Sequence, residues 1–188
     1  MKRKLITIIL LIVSLIIICL GAIINIFNLD LILFSKSSES LYDRKLNINL
    51  NLSEVTDDDS VELCITRLED VCFLLEVAKS KEKKQRGLMF KKNLDESQGM
   101  LFIFDKPAIQ NFWMKNTFVP LDIIFLDQNL NIINIEKAQN TNQAEDLYSS
   151  TKPSMFVVEL NLYTTEKYKI SPADSFWLKK IYRNTKID

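Results

Sequence analysis

From Leu5 to Ile24 the chain carries no charged residue, and Thr7 and Ser14 are its polar side chains. Such a run has no polar face, and a helix apolar all round belongs in a bilayer or in the core of a much larger protein. Roughly 20 residues at 1.5 Å rise match the hydrocarbon core of a membrane. Met1-Lys2-Arg3-Lys4 precedes the run, and Asp30 is the first charge after it. The positive-inside rule then holds the N-terminus in the cytoplasm and sends the rest across. A secretory signal has a shorter apolar region, about 7–15 residues, ending at a small-residue cleavage site. Here the one candidate cut, near Gly21-Ala22, is weak, and Ile18 before Cys19 does not suit a lipoprotein signal. Residues 1–27 are expected to be an uncleaved anchor held in the membrane through residues 5–24, with a cleaved signal peptide as the second reading. The remainder is expected to be extracytoplasmic, in the periplasm or at the cell surface.

Residues 28–59 are expected to be a linker. "SKSSES" is a turn signal, and "KLNINLNLS" alternates so that Leu46, Ile48, Leu50 and Leu52 share a side. The linker closes on Asp57-Asp58-Asp59, which lacks the glycine and distal glutamate of a calcium loop and reads as a solvated acidic run.

From residue 60 the pattern becomes that of short strands. "VELCITRL" and "VCFLLEVA" predict a hairpin turning at Glu69-Asp70. Ser80 can cap a short helix, "KEKKQR", which Gly87 ends. "MLFIF" and "QNFWM" predict two strands with a turn at Asp105-Lys106-Pro107. "LDIIFLD" and "NIINIEKA" predict a second hairpin, followed by a strand "MFVVEL", a short helix "YTTEKYK" and a closing strand "DSFWLKKI". Residues 60–188 therefore predict one β-rich α+β domain of short, mostly antiparallel strands with one or two short helices.

Composition narrows the chemistry. The chain has no histidine, which removes the commonest general base and metal ligand; no metal and no cofactor are expected. Its formal net charge is zero, so nothing global draws it to nucleic acid. The basic stretch from Lys79 to Lys92 reads as a solvated face, with anionic headgroups as an alternative contact. Cys64 and Cys72 flank the first hairpin and could face each other across it as a disulfide; two free thiols are the alternative, and a one-residue slip would separate them.

"NFWMKNTFVPLDIIFLD" at 111–127 sets polar side chains into an apolar wall. Strand alternation puts Asn111, Trp113 and Lys115 on one side and Phe112, Met114 and Asn116 on the other. Asp122 falls among apolar neighbours and needs a partner. Lys115 is the first candidate for that partner, with Glu159 in "VVEL" as the second. Together with "QRGLMFKKNLDESQGMLFIF", this segment resembles the bacterial and archaeal family known as domain of unknown function 192, over about residues 61–181. Arg86 to Met89, Gly99, Met100, Phe112 to Thr117, Pro120 to Asp122 and Glu159 match its pattern. The resemblance implies a compact β-rich domain, often behind a signal or anchor, with no established activity. The chain departs from the pattern after "EL", where Asn161 stands for a usual glycine, and at Ala173, which replaces another; the geometry of that loop is in question.

Trp113, Lys115, Asn116, Thr117, Asp122 and Glu159 are the candidate ligand-binding residues. An aromatic plate beside converging polar groups suits a small polar or carbohydrate ligand, in an accessory or binding protein of the envelope. A hydrolase or lyase would use Lys115, Asp122 and Glu159 catalytically. The same residues could instead lock a bend in the sheet, in a structural or interaction protein.

Overall fold

A computed structural model describes residues 52–183. The expected anchor and most of the expected linker lie outside the described residues. Within them, no helix is long and apolar enough to cross a membrane.

The chain runs β1 (Ser60–Ile65), β2 (Leu68–Ala78), α1 (Lys81–Arg86), β3 (Gln98–Ala108), β4 (Asn111–Phe112), β5 (Leu121–Leu126), β6 (Ile132–Ala138), β7 (Tyr148–Ser149), β8 (Ser154–Asn161), α2 (Thr164–Lys167) and β9 (Phe176–Tyr182). One sheet takes the order β6-β5-β8-β3-β2-β1-β9, and β4 and β7 form a separate small ribbon. All neighbours in the large sheet are antiparallel except β2 and β3, which α1 connects in parallel. The sheet curls until its edges meet at one end. Ile132 N–H donates to Asp174 O at 3.1 Å and Phe176 N–H to Leu130 O at 2.9 Å. The domain is β-rich with short helices, as the strand pattern predicts.

Alternation divides the apolar residues between two cores. Val61, Leu63, Phe73, Leu75, Leu101, Ile124, Val158 and Leu160 point into the curl. Met100, Phe102, Leu121, Ile123, Phe125 and Val157 point the other way, under the loops that hold Leu88, Met114 and Val119. All six residues of β5 are buried because both of its faces are covered. Gly99 permits the close approach of β3 and β8: a Cβ there would lie 2.2 Å from Glu159 O.

Four local expectations are corrected. The first hairpin turns between Ile65 and Leu68, with a bulge after it, not at Glu69-Asp70. Arg67 in that turn is held by Asp174, Nε to Oδ1 at 2.8 Å. β3 continues through Asp105-Lys106-Pro107; the β8 register slips between Ile103 and Ala108, and proline is tolerated where no ladder bond is required. "QNFWM" is not a full strand, since β4 ends at Phe112 and the chain turns at Asn116, whose φ is 56°. Finally, the end of the linker belongs to the domain. Leu52 and Val55 join the inner core, and Asp57 accepts from Lys79 N–H (2.6 Å) and Ser80 N–H (3.0 Å). Asp59 is buried, bonded to Thr56 N–H at 2.8 Å.

Candidate functional site

The sequence from Ser80 to Met89 builds one wall of a cleft. The Ser80 hydroxyl accepts from Lys83 N–H at 3.1 Å, opening α1. Gly87 closes it at φ 48°, donating to Lys83 O at 2.8 Å. Lys81, Lys84 and Gln85 fall on one face by their spacing. Phe90, at φ 65°, then donates its N–H to Asn116 O at 2.8 Å, which ties this wall to the opposite one. That second wall is Phe112-Trp113, continuing to Thr117. Phe112 packs edge-on against Phe102 (centroids 4.8 Å apart) and Phe125 (5.8 Å), an arrangement that fixes its ring. Met114, fully buried, pins the loop beneath.

Between the walls lies an open cleft of about 240 Å³ floored by Phe102 and Glu159. Glu159 comes from β8, on the outer-core face, opposite Met100 and Ile123. It is 4% exposed, and its Oε2 has no hydrogen-bond partner among the described residues. Burial pushes the carboxyl up to about 8, so it is mostly uncharged at neutral pH and can both donate and accept. Gly87 keeps this floor open. A Cβ there would sit 3.3 Å from Phe102 Cζ and 3.9 Å from Glu159 Oε2.

Asp122 is elsewhere. It faces Leu160 and Lys137 across the ladder, so its side chain leaves the sheet on the face opposite Glu159. Its Oδ2 accepts from Thr165 N–H (2.8 Å) and Thr165 Oγ1 (2.7 Å), and its Oδ1 from Tyr163 N–H (3.2 Å). Lys137 Nζ lies 3.5 Å from Oδ1. Neither expected partner of Asp122, Lys115 or Glu159, meets it: strand β6 and the turn into α2 supply the partners instead. The same contacts answer the question of the departed loop. Tyr163 takes φ 69° without a glycine, held by Asp122, while Asn161 Nδ2 donates to Leu94 O at 2.8 Å and Asp95 O at 3.0 Å.

Of the other candidates, Trp113 and Thr117 line the cleft with Glu159. Trp113 is half-exposed, with Lys115 Nζ over its ring at 5.7 Å. Asn116 shapes the turn, and Thr117 O accepts from Asn142 N–H at 2.8 Å. Sequence reasoning did not single out Lys81, Lys84 or Arg86 for the site. The signal was present in the Arg-Gly-Leu-Met signature, since a left-handed glycine beside a cation marks a place where the backbone opens. The basic stretch is also more than a solvated face: Lys84 Nζ donates to Ile103 O at 3.1 Å, Lys79 Nζ to Ser53 O at 2.6 Å, and Lys83 Nζ to Asp57 O.

Away from the cleft, Cys64 and Cys72 stand opposite each other in the first hairpin and are joined as a disulfide. Glu62 lies close to both sulfurs, but sulfurs bonded to each other leave no thiolate for a metal.

The family model DUF192, Uncharacterized ACR, matches residues 64–177. Among solved structures, a proposed transcription regulator of Sinorhizobium meliloti 1021 is 28% identical, with a TM-score of 0.60 over 66% of this chain and 97% of that one. A protein of unknown function from Novosphingobium aromaticivorans DSM 12444 is also 28% identical, with a TM-score of 0.55 over 62% and 82% respectively. No curated protein matches the chain.

Proposed function

The chain belongs to the DUF192 family of uncharacterized proteins, and on that footing we propose that its folded domain is a membrane-tethered, extracytoplasmic module that binds a small polar ligand, such as a carbohydrate, in the cleft between α1 and Phe112-Trp113. One observation carries this reading: the buried Glu159 Oε2 at the cleft floor is unpartnered. Leaving such a group unsatisfied costs about 1–3 kcal/mol, and such costs gather at functional sites, where a ligand, ion or water can supply the missing partner. The aromatic wall and the glycine-kept opening suit a ring lying flat against Trp113. At about 240 Å³ the cleft lies below the roughly 300–1,000 Å³ typical of drug-sized sites, so the ligand is of monosaccharide size.

The hydrolase or lyase alternative needs Lys115, Asp122 and Glu159 to converge, and Asp122 sits on the far face of the sheet fastening α2. A transcription-regulator role, by analogy with the Sinorhizobium protein, would rest on α1, a six-residue helix whose Lys83 and Lys84 are engaged by backbone carbonyls. The extracytoplasmic placement draws on the apolar run at residues 5–24, and the Cys64–Cys72 bond fits an oxidising compartment.

A thermal-shift screen of small polar compounds against the full chain tests the binding reading. Hits should perturb the amide resonances of residues 84–89, 110–113 and 159, and should weaken in Trp113→Ala. Hits that map elsewhere, or that ignore Trp113→Ala, would sink it. For placement, protease added outside intact cells should remove a C-terminal tag from a membrane-pelleted chain; recovery of the chain in the cytosolic supernatant contradicts it.

A further inference from the structure

The charge around the cleft says which ligands it takes. Lys81, Lys84 and Arg86 all line it from α1. The other elements packed on Glu159 present Met100 and Phe102 from β3, Phe112 from β4 and Ile123 from β5, none of them ionisable. Asp122 is on the opposite face of the sheet, and Glu159 is thus the one acidic group among the described residues that line the cleft. A cationic ligand would meet like charges at the rim and gain little from an uncharged acid at the floor. An anionic one gains both ways: the rim attracts it, and a protonated carboxyl can donate a hydrogen bond to its oxygen.

Building on the binding reading above, we propose that the cleft selects small ring-bearing oxyanions, a sugar acid or sugar phosphate, with the anionic oxygens between Arg86 and the Glu159 carboxyl and the ring against Trp113. Lys84 is partly committed, its Nζ bonded to Ile103 O at 3.1 Å and lying 4.9 Å from the centre of the Phe104 ring. Of the two cations that remain, Lys81 and Arg86, Arg86 is the principal charge partner, because its planar fork is suited to carboxylate or phosphate. Binding of this kind is lost when Glu159 ionises, because two anions would then share one dry floor.

Calorimetry on the full chain with glucuronate, glucose 6-phosphate, glucose and glucosamine tests this at about pH 6.5 and about pH 9. Both anions should bind at the lower pH and weaken about tenfold at the higher, where about a tenth of Glu159 stays protonated. Glucose should bind at least tenfold more weakly than either. Glu159→Gln, which keeps an N–H donor, should retain the anions and lose the pH dependence, while Arg86→Gln should weaken the anions and leave glucose unchanged. Preference for glucuronate over glucose 6-phosphate, or the reverse, identifies the source of the oxyanion within the class. Glucose binding as tightly as the anions, or the glucosamine cation binding as tightly as the anions at about pH 6.5, overturns the oxyanion proposal and leaves the binding reading standing. Silence from all of these sugars at both pH values overturns the oxyanion proposal, while hits from the wider screen decide the binding reading separately.

Discussion

Asp122 and Glu159 are both buried acids on adjacent strands, one residue out of step, and they live opposite lives. Asp122 lies across from Leu160, and Glu159 across from Ile123, so the pleat sends them to different faces. On the inner side Asp122 accepts from Thr165 and Tyr163 and lies beside Lys137. On the outer side Glu159 has an unpartnered oxygen beneath a cleft. The contrast separates the two explanations for a polar residue in an apolar wall: a group that holds the fold has its bonds made, and a group kept for something else does not.

Substitutions at the two acids should move stability in opposite directions. Asp122→Ala strips the acceptor from two N–H groups and a hydroxyl and leaves Lys137 with Glu166 as its remaining carboxylate neighbour, a loss of about 3–5 kcal/mol in urea unfolding. A loss under about 1 kcal/mol would break the comparison on the Asp122 side. Glu159→Gln should instead stabilise the domain at neutral pH. Folding raises this carboxyl from 4.5 to about 8, so the native state holds a proton that the unfolded state releases. Stability therefore falls as pH climbs through that window and levels off above it. The glutamine variant escapes that fall, matching the parent at low pH and exceeding it by on the order of 3 kcal/mol near pH 7. Parallel melting curves across pH check this; a variant less stable than the parent at every pH would make Glu159 a structural residue.

Gly87→Ala probes the cleft itself. A side chain at φ 48°, 3.3 Å from Phe102, should cost about 1–2 kcal/mol and weaken every cleft ligand, as calorimetry would record. Thr165→Val, which removes the hydroxyl bonded to Asp122, should cost about 1 kcal/mol and leave ligand affinity untouched. Trp113→Ala, at a half-exposed position, should cost about 1 kcal/mol, and Lys115→Ala, at an exposed one, no more than about 0.5 kcal/mol. Only the tryptophan should matter to binding.

The elements were legible where the local code is strong. Ser80 and Gly87 bracket α1, and the alternation in "LDIIFLD" correctly separates Leu121, Ile123 and Phe125 from Ile124 and Leu126. Asp105-Lys106-Pro107 was read as a turn from its turn-type residues, yet the register slip at that point lets proline stay in the strand with no ladder bond required. Lys115 was matched to Asp122 because seven residues separate them in sequence; the true partners, Lys137, Tyr163 and Thr165, arrive through strand pairing and a later turn. Whether Asp122 and Glu159 share a face depends on a one-residue register that no single chain reveals before its strands are paired. The cleft was half visible: Trp113, Thr117 and Glu159 were named, while Arg86 was noticed as part of a signature and Gly87 as the end of a helix, neither as part of the site.

Glu159 is an uncharged acid held dry at the floor of an open cleft, and a side-chain carboxyl NMR titration reads that state directly. A midpoint near 8, well above the ordinary 4.5, with nearby cleft amides shifting in step, is the predicted result. A midpoint at the ordinary carboxylate value would mean that Glu159 is charged and satisfied at neutral pH, and the contrast with Asp122 would vanish.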